Sequence, residues 1–314
     1  MSAPICLVCG EPLAEHWTSA VDVEYETTAE SFDYFRCAGC DCLVIDPVPR
    51  ERLAEIYPST YYSFAAGEDA LTARRSLVAR IKERLDRRTF KRVLEMNGTD
   101  APRILDVGGG TGEICAGLVR AAGQGARGTV VDFDSESAAV ARRRGLTAEV
   151  CRFEEYATEE RFDVVLLLNL IEHVDDPLAV IRKAGELLAP HGVIWMQTPN
   201  WRSLDARLFR RRNWAGLHCP RHWVIFSKRA LRSALGRAGV EPIELRATQG
   251  GAFWAASILG VARRRVPGRN GRPLVRDPFF LPLAAVAAGC DIVSAPVRDA
   301  SQVVCIARRA GEAG

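Results

Sequence analysis

The stretch RILDVGGGTGEI, residues 103–114, places four glycines between two acids, Asp106 at the end of a β-rich run and Glu113 after the last glycine. The glycines fall at positions 108, 109, 110 and 112, so no register gives the G-x-G-x-x-G spacing of a dinucleotide site. A carboxylate beside the turn would repel a pyrophosphate, whereas it suits a ligand with a cationic amino group. The glycines would let the backbone approach such a ligand closely before a helix opens at Glu113.

A third acid follows the next predicted strand. The segment GTVVDFD places Asp132 at the end of that strand, where a carboxylate can accept hydrogen bonds from two ribose hydroxyls. A ribose together with an amino-acid head group, and without a phosphate, describes S-adenosylmethionine (SAM). Asp106, Asp132 and the glycines therefore predict SAM as the cofactor.

Cysteines at the front of the chain have the spacing of metal ligands. Two C-x2-C pairs are separated by 27 residues, and they consist of Cys6, Cys9, Cys37 and Cys40. Four thiolates in this arrangement are typical of a tetrahedral zinc ribbon with a closed, structural metal. Cys42 offers a substitute for Cys40, and four unrelated buried thiols are the other interpretation.

From residue 103 onward, β-rich and helical patterns alternate. The predicted strands cover 103–107, 129–133, 149–153, 162–169, 192–198, 242–248 and 302–307, and the predicted helices 113–122, 135–144 and 178–188. Such alternation predicts βαβ units in an α/β fold with a mostly parallel sheet. We therefore expect a Rossmann-like sheet with helices on both faces, joined to a small N-terminal zinc ribbon.

Four stretches, ILDVGGGTGEI, VVDFDSES, FDVVLLLNLIEHVDDP and GVIWMQTPN, resemble successive motifs of class I SAM-dependent methyltransferases. The resemblance covers about 103–248 and 302–307, and it favours the branch of ubiquinone-biosynthesis O-methyltransferases and of glycan and natural-product methyltransferases. The segment CLVCG…CAGC with IDPVPRERLAEIYPSTYY resembles the zinc-ribbon extension of some of these enzymes.

The resemblance also implies which residues hold the cofactor. Those on its methionine side would be Asp106, Gly108, Gly110 and Gly112. Those on its ribose and adenine side would be Asp132, Phe133, Phe153 and Glu154, with Asn169 closing the site. Related enzymes often have an aspartate where this chain has Phe153.

Methyl transfer to an oxygen usually needs a general base. His173, in LIEHVDDP, follows the fourth predicted strand of the sheet, and His222, in HCPRHW, is the competing candidate. A capping or packing role is the alternative for His173. Glu172 is a plausible partner for this histidine or for a divalent cation.

The chain divides into three predicted parts. Residues 1–45 form the zinc ribbon, 46–100 a connector with a basic amphipathic helix, and 101–314 the methyltransferase domain. Within the last part, 200–229 is predicted to be a substrate lid and 253–296 a helical insertion before the last strand. The lid segment carries eight basic residues and three tryptophans, and its aromatic side chains would cover the acceptor. Its Arg210, Arg211 and Arg212 would hold an anionic acceptor, unless the segment is an ordinary surface helix.

Composition favours a soluble cytoplasmic protein. The net charge is only +3, and the first residues lack the pattern of a signal peptide. The longest apolar runs, 252–262 and 279–290, are too short to span a bilayer. They predict buried helices and leave open a weak association with a membrane surface. The sequence leaves the oligomeric state open.

Two functions remain. The first is a SAM-dependent methyltransferase acting on a small molecule or sugar, including phosphate-bearing conjugates. The alternative is a zinc-ribbon RNA-binding protein or ribosomal RNA methyltransferase. Residues 11–35 hold no lysine or arginine and several acids, which would repel phosphate, so nucleic acid is the less favoured partner.

Overall fold

Two β-sheets and their flanking helices form the protein in the computed structural model, which describes residues 4–57, 77–263, 274–294 and 298–311. The smaller sheet is the N-terminal ribbon. Its strands are β1 (Glu15–Val21), β2 (Ser31–Arg36), β3 (Leu43–Asp46) and β9 (Val224–Ile225), paired antiparallel in that order. The fourth strand comes from the segment 200–229, so the ribbon sheet is completed by a distant part of the chain.

The larger sheet has the order β10-β11-β8-β7-β4-β5-β6. Its strands are β4 (Arg103–Val107), β5 (Arg127–Asp132), β6 (Thr147–Val150), β7 (Phe162–Leu168), β8 (Leu188–Pro199), β10 (Val240–Thr248) and β11 (Gln302–Arg309). Strands β4 to β8 run parallel, whereas β11 pairs antiparallel with both β8 and β10. The chain order reverses between β4 and β7, which creates a crevice at their carboxyl ends.

Helices cover both faces of this sheet. They are α1 (Leu53–Ile56), α2 (Leu77–Asn97), α3 (Glu113–Ala122), α4 (Ser135–Arg143), α5 (Pro177–Glu186), α6 (Leu204–Phe209), α7 (Lys228–Arg237), α8 (Gly251–Arg263) and α9 (Phe280–Ser294). One apolar cluster joins α2, α3 and α4 to the sheet, and another joins α5 and α7 to its opposite face. The predicted α/β class with helices on both faces is confirmed.

Most predicted elements agree with the structure because their apolar pattern is unambiguous. Strand β7, with sequence FDVVLLL, is buried along nearly its whole length, as a central parallel strand must be. The predicted bounds of β4 and α3 are those observed. The third predicted strand of the sheet, 149–153, is displaced: β6 ends at Val150 and leaves Phe153 in a turn.

The two apolar runs form helices α8 and α9, which pack on one another. The expectation that both are buried is wrong for α9, because one side of it is exposed to solvent. In the described part of the chain, no helix combines the length and the apolar character needed to cross a membrane.

Candidate cofactor and catalytic site

The turn after β4 depends on its glycines. Gly108, Gly110 and Gly112 all have positive φ, at 64°, 52° and 67°. Such values are strained for residues with a Cβ. A Cβ on Gly109 would lie 2.4 Å from the Asp106 carboxyl carbon, so this position also requires glycine. Without side chains at these positions, a ligand in the crevice could approach the backbone of the turn closely.

Asp106 and Asp132 lie beside this turn and are both buried. Burial, and secondly the charge of Asp132, raise the pKa of Asp106 to about 7. Burial likewise raises the pKa of Asp132, although backbone N–H groups oppose this shift. The site therefore concentrates negative charge at the crevice, where a cation or hydroxyl donors would relieve it.

The Asp132 carboxylate is held in place by backbone donors. Gly110 N donates to its Oδ2 over 2.8 Å, and Asp134 N donates to its Oδ1 over 2.9 Å. A carboxylate oxygen accepts more than one hydrogen bond, so both retain capacity for ligand hydroxyls. Together, the glycine turn and the two acids fit an amino-acid head group and a ribose.

The remaining predicted cofactor residues differ in placement. Phe133 is exposed at the crevice end of β5, and Asn169, with φ of 51°, lies directly after β7. Phe153 is buried in the hydrophobic core with Lys183 Nζ 5.0 Å from its ring centre, so little of the ring is open to a ligand. The Glu154 carboxylate faces Arg152 at 3.8 Å.

The two predicted bases meet after β7. The rings of His173 and His222 are edge-to-face with centroids 4.5 Å apart, and His218 lies 5.1 Å from His222. His173 Nδ1 lies 3.1 Å from the carbonyl oxygen of Arg221 and 2.9 Å from Tyr57 Oη. The sequence suggested these histidines as competitors, whereas the fold brings them together.

The hydrogen bonds of these rings determine which nitrogen carries the proton. A carbonyl oxygen only accepts, so Nδ1 of His173 donates to Arg221, and Nδ1 of His222 donates to the Gly216 carbonyl 2.8 Å away. Each Nε2 is then left with its lone pair. Burial is the main cause that lowers the pKa of His173 to about 3 and the pKa of His222 well below its usual value, so both rings are neutral at cellular pH.

Glu172 completes a set that could hold a cation. Ligand atoms of Glu172, His173 and His222 lie within 4.8 Å of one another. The carboxyl is fully buried: Oε2 accepts from Thr198 Oγ1 at 3.0 Å, while Oε1 has no hydrogen-bond partner among the described residues. Burial raises the pKa of Glu172 to about 8. Two imidazoles and one carboxylate suit a divalent transition metal.

The sequence interpretation missed the residues that support this cluster. Tyr57 comes from the connector, where the aromatic-rich stretch IYPSTYY was the available signal. Arg221 is fully buried and forms an ion pair with Asp22 at 2.8 Å. His218 Nδ1 donates to the Glu24 carboxylate over 2.8 Å. Since Asp22 and Glu24 belong to the ribbon, the ribbon supports the histidine cluster directly.

The predicted lid segment is corrected in one respect. Its tryptophans, Trp201, Trp214 and Trp223, are each at most 5% exposed, and all pack in the ribbon core with Trp17 and Tyr34. They therefore cannot cover an acceptor with exposed indole faces. Instead, its His218 and His222 pack against His173, in the segment that follows β7.

Two of the three predicted anion-binding arginines, Arg210 and Arg211, lie against the ribbon, and Arg212 is exposed. Arg210 is already engaged: its Nε donates to the Trp17 carbonyl at 2.6 Å and its guanidinium lies 5.2 Å from that indole. Arg210 and Arg211 line a groove of about 470 Å³ with residues 16–19 of the ribbon. This groove shares no lining residue with the glycine turn or the histidine cluster.

The four predicted metal-binding cysteines converge. Their sulfur atoms all lie within 4.8 Å of one another, with Cys9 and Cys37 3.3 Å apart. Cys42 is also close, at 3.2 Å from Cys40. Hydrogen bonds from the Cys40 and Cys42 thiols lower the pKa of Cys6 to about 2. The donor set of four converging thiols fits a tetrahedral zinc ion.

The sheet order, the glycine turn and the paired acids define a class I SAM-dependent methyltransferase. Comparison with protein families agrees, because residues 72–245, more than half of the chain, match the methyltransferase domain family. The chain belongs to this family, and the predicted resemblance is confirmed.

Curated relatives include ubiquinone biosynthesis O-methyltransferases. The Pasteurella multocida enzyme is 32% identical over 129 residues, which is 36% of this chain and 52% of that protein. The Bordetella avium enzyme is 31% identical over 159 residues, which is 46% of this chain and 64% of that protein. The matched region thus spans about half to two thirds of these relatives.

A solved structure with similar architecture is 1,6-didemethyltoxoflavin-N1-methyltransferase from Burkholderia thailandensis, bound to 1,6-didemethyltoxoflavin and S-adenosylhomocysteine. It is 19% identical, with a TM-score of 0.51, and the alignment covers 95% of this chain and 100% of that one. At this identity the likeness concerns the fold alone.

Proposed function

We propose that this protein transfers a methyl group from SAM to a hydroxyl of a small-molecule or sugar acceptor, including phosphate-bearing conjugates. The observation that carries the proposal is a pair of neutral histidines that pack together, of which His173 follows β7, the strand that pairs with β4 and its glycine turn. The relatives named for O-methylation in ubiquinone biosynthesis support an oxygen acceptor.

The chain's part in the reaction is positioning and proton transfer. When bound, SAM supplies a methyl group on an electrophilic sulfonium. Asp106 and the N–H groups of the turn at 108–112 would orient its amino-acid end, and Asp132 would accept from its ribose. Phe133 would lie beside the adenine, together with the backbone at 153–154. Asn169 would close the site at the end of β7. Fixing both reactants supplies much of the rate enhancement in such displacements.

His173 is the proposed base, and its Nε2 takes the proton of the acceptor hydroxyl. Its Nδ1–H, donated to the Arg221 carbonyl, stabilises the imidazolium that forms. The low pKa of His173 makes it a weak base. It therefore suits an acidic hydroxyl, such as a phenol or enol, better than a sugar alcohol.

A divalent cation on Glu172, His173 and His222 is the alternative way to activate the hydroxyl. The buried, unpartnered Oε1 of Glu172 favours it. Activity that disappears after metal stripping and returns with an added divalent transition metal such as Mn²⁺, with the ribbon zinc retained, would support the cation. Activity independent of these additions would support the imidazole base.

We also propose that Cys6, Cys9, Cys37 and Cys40 hold one structural zinc ion. The convergence of their sulfurs and the closed set of four ligands support this role. All ten cysteines are unpaired, which supports a reducing, cytoplasmic location.

The experiment that tests the function measures methyl transfer from labelled SAM to phenolic, sugar and nucleotide-sugar acceptors. Calorimetry with SAM and NAD tests the cofactor separately. Asp132→Ala should weaken SAM binding by about 1 to 3 kcal/mol, because a buried hydrogen-bond acceptor is lost. NAD binding, or unchanged SAM affinity in this variant, would contradict the cofactor assignment. RNA binding with a steep salt dependence would instead favour the nucleic-acid alternative.

A further inference from the structure

A basic groove lies between the N-terminal ribbon and the segment that follows β8. Its larger hollow, of about 470 Å³, lies between residues 16–19 of β1 and the side chains of Arg210 and Arg211. A second hollow, of about 260 Å³, is lined by Arg207 and again by Trp17 and Arg210. Because the two hollows share Trp17 and Arg210, they adjoin one another, and we call them together the ribbon groove. Pockets of a few hundred Å³ are typical of small-molecule sites.

The arginines of the ribbon groove differ in whether an acid neutralises them. Arg36 and Arg202 form ion pairs with the buried Asp41. The other three form no ion pair with any residue that the structure describes, and they are Arg207, Arg210 and Arg211. Uncompensated positive charges on one concave surface attract an anion. Guanidinium groups also match the oxygens of a phosphate in pairs, so phosphate is the anion that suits this groove best.

Arg210 is held in place where the two hollows meet. Its Nε donates to the Trp17 carbonyl oxygen over 2.6 Å, and its guanidinium lies 5.2 Å from the centre of the Trp17 ring. Thr18 Oγ1 also donates to the Arg210 carbonyl oxygen over 2.7 Å. The side chain thus uses only its Nε, and both Nη groups keep their donors for a ligand. Because the side chain is already fixed, little rotamer entropy would be lost when it binds an anion.

The ribbon surface beyond the groove is acidic. Residues 11–35 hold no lysine or arginine. The exposed acids among them are Glu11, Glu15, Glu26 and Glu30. A nucleic acid or an extended acidic peptide that crossed the ribbon would meet these carboxylates. A compact anion at the three arginines need not cross them, so a small molecule fits the groove better than a polymer.

We propose that the ribbon groove binds a small molecule through its diphosphate group, at a site separate from the methyl-transfer crevice. The two sites are separate because neither hollow shares a lining residue with the glycine turn or the histidine cluster. One phosphate contacts Arg210 and Arg211 in the larger hollow, and the other contacts Arg210 and Arg207 in the second. The bound ligand links β1 to the segment after β8, and it therefore stabilises the folded ribbon.

The test is calorimetry of the full-length chain with pyrophosphate and with inorganic phosphate, in about 0.15 M salt to screen attraction to scattered surface charges. We expect saturable one-to-one binding of pyrophosphate, tighter than that of phosphate by about tenfold or more, because the second phosphate adds charged hydrogen bonds. Arg207→Gln and Arg211→Gln should each weaken pyrophosphate binding by about tenfold or more for the same reason. The matched control is Arg212→Gln, which removes an exposed neighbouring charge outside both hollows and should change binding by less than about threefold.

Saturating SAM distinguishes the groove from the crevice. Pyrophosphate binding should persist in the presence of SAM, and SAM affinity should be equal in the wild type and the three variants, which also verifies their folding. Absence of saturable binding, equal weakening in Arg212→Gln, or competition between pyrophosphate and SAM would overturn the proposal. So would flotation with phosphatidylglycerol vesicles that Arg207→Gln and Arg211→Gln abolish, because the groove would then bind lipid headgroups.

Discussion

The buried ion pair between Asp22 and Arg221 should be the main electrostatic link between the ribbon and the histidine cluster. Both side chains are fully buried. Asp22 also accepts from the backbone N–H groups of Glu24, Tyr25 and Thr27, and the guanidinium lies 4.6 Å from the centre of the Tyr25 ring. Arg221 in turn offers its backbone carbonyl to His173. Breaking this pair should affect both stability and the position of the base.

The magnitude can be estimated in two ways. Burial alone would raise the pKa of Asp22, but the hydrogen bond and charge of Arg221 outweigh it and lower this pKa from 3.8 to about 2. At about 1.4 kcal/mol per pKa unit, this shift corresponds to roughly 2 kcal/mol. Removing one partner of a buried pair typically costs about 3 to 5 kcal/mol, because the other charge stays buried and unpaired. By the same reasoning, we expect Asp22→Asn to lower the free energy of unfolding by about 3 kcal/mol or somewhat more.

The pH dependence follows from the direction of the shift. The folded-state pKa of Asp22 lies below its unfolded value, so its contribution is fully present above about pH 4. It should be lost as the pH falls from about 4 through 2. In Asp22→Asn this part of the acid-induced loss of stability should be absent.

The assay is urea unfolding followed by tryptophan fluorescence, because Trp17, Trp201, Trp214 and Trp223 all lie in the ribbon core. The matched control is Glu160→Gln, which breaks the exposed pair of Arg127 and Glu160 and should cost less than about 1 kcal/mol.

A double-mutant cycle then isolates the interaction. Combining Asp22→Leu with Arg221→Met should destabilise the protein less than the sum of the two single variants, because no charge is left buried. A loss below about 1 kcal/mol in Asp22→Asn, or additive effects in the double variant, would refute the reasoning.

Three further predictions concern the site and the metal. His173→Gln should lower kcat by about a hundredfold to ten-thousandfold while SAM binding persists; a variant within a few-fold of wild type would remove His173 from the mechanism, and the same assay on His222→Gln would show whether any histidine is needed. Metal analysis should find about one zinc per chain, and Cys37→Ser should lose it and loosen the ribbon before SAM affinity falls; wild-type protein without zinc would refute the ribbon site. Because the groove lined by Arg210 and Arg211 shares no residue with the glycine turn or the histidine cluster, charge removal at Arg211 and Arg212 should leave the KM of the acceptor and the affinity for SAM unchanged; a raised KM at constant SAM affinity would show instead that these arginines hold an anionic acceptor.

Local features of the sequence were sufficient for the cofactor half of the protein. The acids that end β4 and β5, and the glycines after β4, occupy positions that any parallel sheet brings to one edge. The apolar run of β7 and the helical periodicity of α3 were likewise sufficient to predict these two elements, because each pattern extends over the whole element. The cysteine spacing predicted convergence since each C-x2-C pair forms its own tight turn.

The histidine cluster was decided by tertiary structure. Tyr57, His173 and His222 come from three segments that no local pattern connects, and the ion pair of Asp22 with Arg221 spans nearly 200 positions. The tryptophans of segment 200–229 were interpreted as substrate contacts because composition alone cannot distinguish an exposed indole from one that packs in a distant sheet. Likewise, an apolar run predicts burial, but whether the protein has a surface to cover α9 depends on packing. Sequence patterns determine what a segment can form, and burial depends on which other segments the fold places beside it.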